Sequence, residues 1–443
     1  MTKVYFETFG CSANVADSEQ MAGLLTEAQF EIVNQEELAD VIIINSCTVK
    51  GPTESAIMRR LEELKDGYKI VIIAGCMAQA DSKKLEGYSL IGTNQIHRVV
   101  EVVEEALHDN VIRAVSMNDR PPLNTPLVRK NPFIDIIPIN RGCLGFCTFC
   151  KTKSARGNLI SYPVEEIVQR AQKAVKEGVK EIWLTSQDTG CYGFDIDTDL
   201  PTLLEQLVSI PGNFKIRIGM MNPDYMPKIQ KRLIEFYKHP KVFKFLHLPL
   251  QAGDNTVLEN MKRMYTVEQY LEQIEAFKKE VPGMNFMTDI IVGFPGESEE
   301  QFFKTLNVVR QTSPDSINIS RFWPRPNTPA ERMKDKVPGD EIKRRSRVLT
   351  DIFHNISRLQ NEKWVGWSGP IIIDDKGKRE NQWVGRNDSY KQILITGNYK
   401  LGDVIDVKIV RSDTFSLIAE PTTPNFDNKN SNQPTGVKLK VYY

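Results

Sequence analysis

Short apolar runs alternate with helical patterns along most of the chain. Residues 4–9, 41–45 and 70–74 are nearly continuous apolar runs, with helical stretches over 16–28 and 53–65 between them. Strands apolar on both faces and separated by helices predict a parallel, doubly wound α/β sheet. After a proline-rich, aperiodic linker at 118–131 the alternation resumes. Candidate strands fall at 134–140, 181–185, 215–219, 244–249, 285–292 and 316–322, and helical patterns near 163–177, 200–209, 225–238, 266–280 and 298–312. Six strand–helix units rather than eight predict an incomplete barrel, open on one side. A helix is expected over 338–362. Beyond it, short strands at 371–373, 392–395, 404–410 and 415–419, parted by Gly, Asn and Asp turns, predict a small all-β barrel. The pattern divides the chain into 1–117, 132–362, 363–421 and a loose tail at 422–443.

Composition adds exclusions. At 41% hydrophobic and 26% charged, the 443 residues suit a globular protein, neither disordered nor membrane-embedded. No signal peptide and no run of ~20 apolar residues is seen, so a cytoplasmic protein without a membrane partner is expected. Net charge is +0, so nucleic-acid binding must come from a local patch. The basic run at Lys343, Arg344, Arg345 and Arg347 reads first as a solvated helix face. In the C-terminal segment Trp364, Trp367, Trp383 and Tyr390 interleave with Lys378, Arg379, Arg386 and Lys391. That composition suits stacking on bases and tracking phosphates; core tryptophans are the alternative.

The seven cysteines carry the chemistry. Cys143, Cys147 and Cys150 form Cys-x3-Cys-x2-Cys directly after the first barrel strand, where barrel sites lie. Protein-only zinc sites want four ligands. Three thiolates within eight residues suit a cubane iron–sulfur cluster whose fourth iron stays open to S-adenosylmethionine. A zinc site completed by a distant ligand is the other reading. Cys11, Cys47 and Cys76 each follow one N-terminal strand, at the carboxyl edge where open α/β sheets bind ligands. They read as a second three-cysteine cluster site, with three packing cysteines as the alternative. The loops at Ser186-Gln187-Asp188, Pro249-Leu250-Gln251 and Gly293-Phe294-Pro295-Gly296 also follow barrel strands, and could hold an amino-acid carboxylate, a ribose and an adenine.

With Gly10-Cys11-Ser-Ala-Asn14, Asp17-Ser-Glu19, Asn45-Ser-Cys47, Arg141-Gly-Cys143, Thr288–Glu297 and Arg325-Pro-Asn-Thr-Pro329, the chain resembles the methylthiotransferase family of radical SAM enzymes. The resemblance spans about residues 1–420. The segments at 47–54, 150–158 and 181–190 look most like the archaeal and eukaryotic branch, which modifies threonylcarbamoyladenosine in tRNA. Eukaryotic members tend to carry a hydrophobic C-terminal anchor, and its lack here favours an archaeal-like soluble enzyme.

What the resemblance implies is a TRAM domain at the C-terminus and two 4Fe-4S clusters on the two cysteine triads. It also implies Phe149 beside the adenine of S-adenosylmethionine. Gln187, Asp188, Gln251, Arg263, Gly293 and Phe294 are the further expected contacts to that cofactor. One S-adenosylmethionine would methylate a sulfur held at the Cys11 triad. A second would be cleaved at the Cys143 triad to a radical that activates adenosine carbon 2, a C–H bond without an acidic proton. Lys151, Lys153 and Arg156 would meet the substrate carboxylate, with support of S-adenosylmethionine or of the backbone as the alternative. The tRNA anticodon stem-loop, a flavodoxin- or ferredoxin-like electron donor and a sulfur source are the expected partners. Cys191 matches no ligand and is read as structural. Isopentenyladenosine tRNA, a ribosomal-protein aspartate, or a non-catalytic iron–sulfur RNA-binding role are the alternatives.

Overall fold

The computed structural model describes residues 1–49, 51–422 and 439–442. The N-terminal apolar runs form the centre of a seven-stranded parallel sheet. Its main path runs Glu31–Val33, Lys3–Phe9, Val41–Ser46, Ile70–Gly75, Ser89–Ile91, Arg113–Ala114. The three longest strands are those expected; the two- and three-residue ones are too short to leave a periodic signal. Lys440–Tyr442 adds a further parallel strand beside Glu7–Phe9, and Tyr442 stacks on Phe9 with ring centres 4.6 Å apart. The end of the expected loose tail is therefore ordered against the sheet, while 423–438 lie outside the described residues.

The barrel strands fall where the pattern put them, as two three-stranded parallel sheets. One holds Ile134–Pro138, Glu181–Thr185 and Lys215–Ile218; the other holds Phe245–His247, Asn285–Val292 and Ser316–Arg321. A single bridge, Ile216 to Val242, links them. The order is sequential, so the open side lies beside the first strand. There the helix Ser12–Glu27 packs, with Val15 and Ala16 against Ile134 and Ile136. Twelve of its residues are buried, polar ones included, because it lies between the N-terminal sheet and the barrel. A helix with one apolar stripe would suit one neighbour; this one has two.

The buried polar residues on that helix are paired across the domains. Asp17 takes Arg141 at 2.9 Å and Arg156 at 2.8 Å, all three buried. Two further links join the domains: Lys151 to Asp81 at 2.9 Å, and Arg325 to Glu54 at 2.5 Å and to the Thr48 carbonyl at 2.7 Å. The 118–131 linker is docked rather than loose. Lys130 N donates to Glu19 at 2.8 Å and Val128 N to the Glu19 carbonyl at 3.0 Å. At Gly23 an added Cβ would lie 2.1 Å from the Pro126 carbonyl oxygen, so the linker crosses where only glycine leaves room.

After the helix Gly339–Glu362 comes a closed five-stranded barrel, Ser368–Lys376, Gln382–Arg386, Gln392–Thr396, Leu417–Pro421 and Val404–Ser412 in order. It docks near the amino ends of the larger barrel's strands. Arg217 lies among the rings of Trp183, Phe245 and Tyr390 at 4.9–5.2 Å. This joint takes up part of the expected base-stacking surface. Tyr390 is buried in that joint, Arg386 pairs with Asp374 at 2.9 Å, and Lys391 pairs with Asp315 at 2.6 Å. Trp364, Trp367 and Trp383 flank the small barrel's core. Of the expected cations, Lys378 and Arg379 remain exposed. In the basic run, Arg345 is buried on Glu297 at 2.8 Å. Among the described residues no helix is long and apolar enough to cross a membrane.

Two predictions follow from the helix between the domains. Asp17→Asn strands two guanidiniums in the interior, and breaking a buried pair this way costs about 3–5 kcal/mol. The apparent melting temperature should fall by several degrees; a melt matching the parent would show the pairing to be idle. Burial pushes Glu19 up to about 8, above its ordinary 4.5. A carboxyl raised on folding contributes stability that is complete below about pH 4.5 and lost as pH rises through about 8. Glu19→Gln should flatten the decline in melting temperature over that window, which melts at several pH values will show.

Candidate active site between two cysteine triads

Each cysteine of the first triad is placed by the end of a strand. Gly10 has φ +109°, a left-handed value suited to glycine, and an added Cβ there would sit 2.9 Å from the Cys47 Cβ. The strand Ile70–Gly75 passes directly into the short helix Cys76–Ala80. The Cys11 and Cys76 thiols both point to Asn14 Oδ1, at 3.9 and 3.7 Å, while the Asn14 amide holds the carbonyls of Phe9 and Ser46. Asn14 thus ties two strand ends and two thiols together. It belongs to the quoted motif, but sequence alone assigned it no task. Burial pushes Cys47 up to about 12 and raises Cys76. Such thiols ionise when a metal supplies the positive charge, so loading this site releases protons.

The second triad lies in the loop after Ile134–Pro138 and the two-residue strand Asn140–Arg141. Gly145 N donates to Cys143 Sγ at 3.2 Å, and Arg263 Nη1 donates to Cys147 Sγ at 3.3 Å. Gln187 accepts from Gly142 N at 2.8 Å, holding the loop on the second strand. Asp188 is buried, takes the amides of Gly190 and Asn222 at 3.0 Å, and lies 3.8 Å from Cys143 Sγ. Burial, then the neighbouring Cys143, raises its carboxyl well above the ordinary value. Arg263 also donates to Asn222 Oδ1 at 2.5 Å. Asn222 is therefore a hub that sequence reading missed; its signal was an Asn-Pro pair just beyond the third strand.

Other expectations change. Cys191 is not remote: its sulfur lies within 4.8 Å of the ligating atoms of Cys143 and Asp188 and donates to the Asp188 carbonyl at 3.3 Å. The contact between the Cys191 and Cys143 thiols, ahead of other causes, holds Cys143 below its ordinary value. Phe294 is fully buried, edge-on to Phe322 with centres 5.4 Å apart, so its ring packs the core rather than facing a ligand. An added Cβ at Gly293 would meet Ile342 at 2.4 Å, so this turn is shaped by the helix Gly339–Glu362 behind it. Gln251 stands at φ +72°, its backbone bonded to Asp289 and Ile291. Phe149 is half-buried against the main core.

Lys151 and Arg156 are not free to meet a substrate. They flank and end a helical turn, Thr152–Arg156, wedged between the domains, and their charges are answered by Asp81 and Asp17. Arg156 also donates to Asn14 Oδ1 at 2.7 Å and reaches the Cys76 sulfur. A side chain six residues past Cys150 thus enters the pocket of the other triad. Lys153 alone stays at the mouth, on the Cys143 carbonyl and 4.7 Å over the exposed Phe146 ring. Ser12 and Thr185 join the two carboxyl edges at 2.7 Å. Both cysteine sets therefore line one interface. All seven cysteines are free, and in each set the thiols outnumber the nearby carboxylates, which suits iron–sulfur ligation.

Residues 137–309 match the model of the Radical SAM superfamily, 3–91 that of the Uncharacterized protein family UPF0004, and 365–422 that of the TRAM domain. The fold is similar to that of the radical S-adenosylmethionine methyltransferase TsrM from Kitasatospora setae, with a TM-score of 0.53 at 13% identity over 74% of this chain and 75% of that one. A protein of Pyrococcus horikoshii named probable threonylcarbamoyladenosine tRNA methylthiotransferase is 42% identical over 96% of this chain and 100% of its own length. The Homo sapiens threonylcarbamoyladenosine tRNA methylthiotransferase is 40% identical over 95% of this chain and 74% of its own. With two cysteine triads on one interface and relatives of this likeness along nearly its whole length, the chain belongs to the family of threonylcarbamoyladenosine tRNA methylthiotransferases.

Proposed function

We propose that the protein transfers a methylthio group to carbon 2 of N6-threonylcarbamoyladenosine beside the anticodon of tRNA. It is a radical SAM enzyme, and S-adenosylmethionine and an iron–sulfur cluster serve its reaction. The observation that carries the finer reading is the interleaving of the two triads. Arg156, from the loop of one, is bonded within the pocket of the other. On this reading Cys143, Cys147 and Cys150 hold one 4Fe-4S cluster and Cys11, Cys47 and Cys76 a second. When bound, these groups and S-adenosylmethionine supply the radical and the methylthio sulfur.

The chain's own residues do the rest. Arg263 and the Gly145 amide offset thiolate charge at the barrel triad. Arg156 does so at the other, while Asp17 holds it in place. Gln187 and Asp188 fix the loop that carries Cys143. Phe149, Gln187, Asp188, Gln251, Arg263 and Gly293 remain our assignments around S-adenosylmethionine. The buried ion pairs fix the two cysteine loops relative to each other. A flavodoxin- or ferredoxin-like donor and a sulfur source complete the reaction, which consumes electrons and a sulfur the tRNA lacks. Seven free cysteines fit the reducing cytoplasm.

Two measurements test this. Cys147→Ala should abolish formation of 5′-deoxyadenosine and remove about half the iron, one cubane of two. Cys47→Ala should keep S-adenosylmethionine cleavage and lose methylthio transfer. A Cys47→Ala protein making product at the parent rate would reduce its triad to packing cysteines. For the substrate, unmodified, isopentenylated and threonylcarbamoylated tRNA are assayed side by side. A site built to bond the added carboxylate, hydroxyl and urea rejects RNA lacking them by large factors. Turnover confined to the threonylcarbamoylated tRNA is expected; equal turnover on the unmodified one would contradict the assignment.

A further inference from the structure

We propose that the segment 321–336, with Trp323 at its head, is the surface that grips the substrate RNA, and that the indole stacks on an unpaired nucleobase of the anticodon loop. The proposal rests on the tRNA reading above and deepens it.

Trp323 follows the last barrel strand, Ser316–Arg321, at the carboxyl edge. It is 64% exposed, an unusual state for a ring that buries so much apolar area in most settings. Yet the indole is not loose. One part of it lies against Gly51, four residues past Cys47, where an added Cβ would approach within 3.2 Å of the ring. Two residues on, buried Arg325 clamps the same loop to Thr48 and Glu54. Pro326 O takes Lys151 Nζ at 3.2 Å, and Ala330 N donates to the Thr148 carbonyl at 2.9 Å, both in the loop of the barrel triad. The segment therefore bridges the loops of both cysteine sets and holds an open aromatic face beside them.

Its charges point to the occupant. Arg321, Arg332, Lys334 and Lys336 are exposed, and none has a carboxylate partner among the described residues. Against them stand Glu331, spent on the Asn327 amide at 2.8 Å, and exposed Asp335, whose carbonyl fixes Gly296 N at 2.8 Å. An exposed aromatic face and unpaired cations carried on one segment are how proteins hold single-stranded RNA: bases stack and phosphates meet charge. The tRNA substrate proposed above supplies both an unpaired base and phosphates at this edge, so RNA is the occupant this pairing favours. The contrast with the small C-terminal barrel is sharp, since its Arg386, Lys391 and Tyr390 are engaged within the chain.

The test measures binding of the iron-loaded enzyme to an anticodon stem-loop RNA carrying threonylcarbamoyladenosine, with iron content and melting temperature as controls for folding. Trp323→Ala should weaken binding about tenfold or more, and Trp323→Phe, which keeps a ring face, should recover most of it. RNA should quench part of the parent's tryptophan emission, and that part should be absent from Trp323→Phe. Replacing Arg332, Lys334 and Lys336 together by Gln, at exposed positions that folding does not need, should lower the salt-dependence slope by about 2. A parent that binds and modifies tRNA while Trp323→Ala binds as tightly and the triple variant keeps its slope would overturn the proposal alone. A parent that ignores the RNA would overturn the substrate reading and the proposal with it.

Discussion

Asp17 is a buried carboxylate that holds two buried guanidiniums, one from each side of the Cys143 loop. A charge in the interior is tolerated only when paired and hydrogen-bonded. This requirement fixes much else. Arg141 and Arg156 bracket the barrel triad in sequence, so satisfying them on Asp17 pins that loop to the helix Ser12–Glu27. The same helix carries Asn14, on which Cys11 and Cys76 converge. One unpaired partner would leave a charge without compensation and loosen both cysteine-bearing loops together. The ion cluster therefore acts as a registry device: apolar packing could join the two domains in several ways, but only one answers all three charges.

The remaining links repeat the device around the rim. Lys151 reaches Asp81, five residues past Cys76, and Arg325 reaches Glu54 and Thr48, just beyond Cys47. In each case the cation comes from the barrel and the acceptor from the N-terminal domain. The interface is thus defined by directional pairs placed within a few residues of the triad cysteines. On the proposed reading, with a cysteine-held group on each side of one substrate, such fixed relative placement is required, because positioning errors near an ångström cost large factors in rate.

Much of this was legible in the sequence, for identifiable reasons. Strands 181–185 and 285–292 coincide with Glu181–Thr185 and Asn285–Val292 because their apolar runs are bounded by polar turns. The six cysteines of the two triads could be placed at strand ends because such ends are readable from those runs. What was not legible depends on tertiary partners. Lys151 and Arg156 look like an open basic loop until Asp81 and Asp17, distant in sequence, are brought against them. Arg386, Lys391 and Tyr390 look like an RNA surface until the larger barrel docks on them. Phe294, in a ligand-like turn, is claimed by Phe322 and the core. Cys191 had no spacing signal at all; the 3₁₀ turn Thr189–Cys191 brings it to Cys143. Trp323, two residues before the quoted motif Arg325–Pro329, stands out only once its exposure is known.

The central claim is that both cysteine sets line one interface and hold their groups side by side. Electron paramagnetic resonance of the reduced, iron-loaded protein tests it most directly. The account predicts about eight irons per chain, as two cubanes, with each cluster's signal broadened by dipolar coupling to the other. Two clusters whose spectra are independent, or iron for a single cluster, would contradict it.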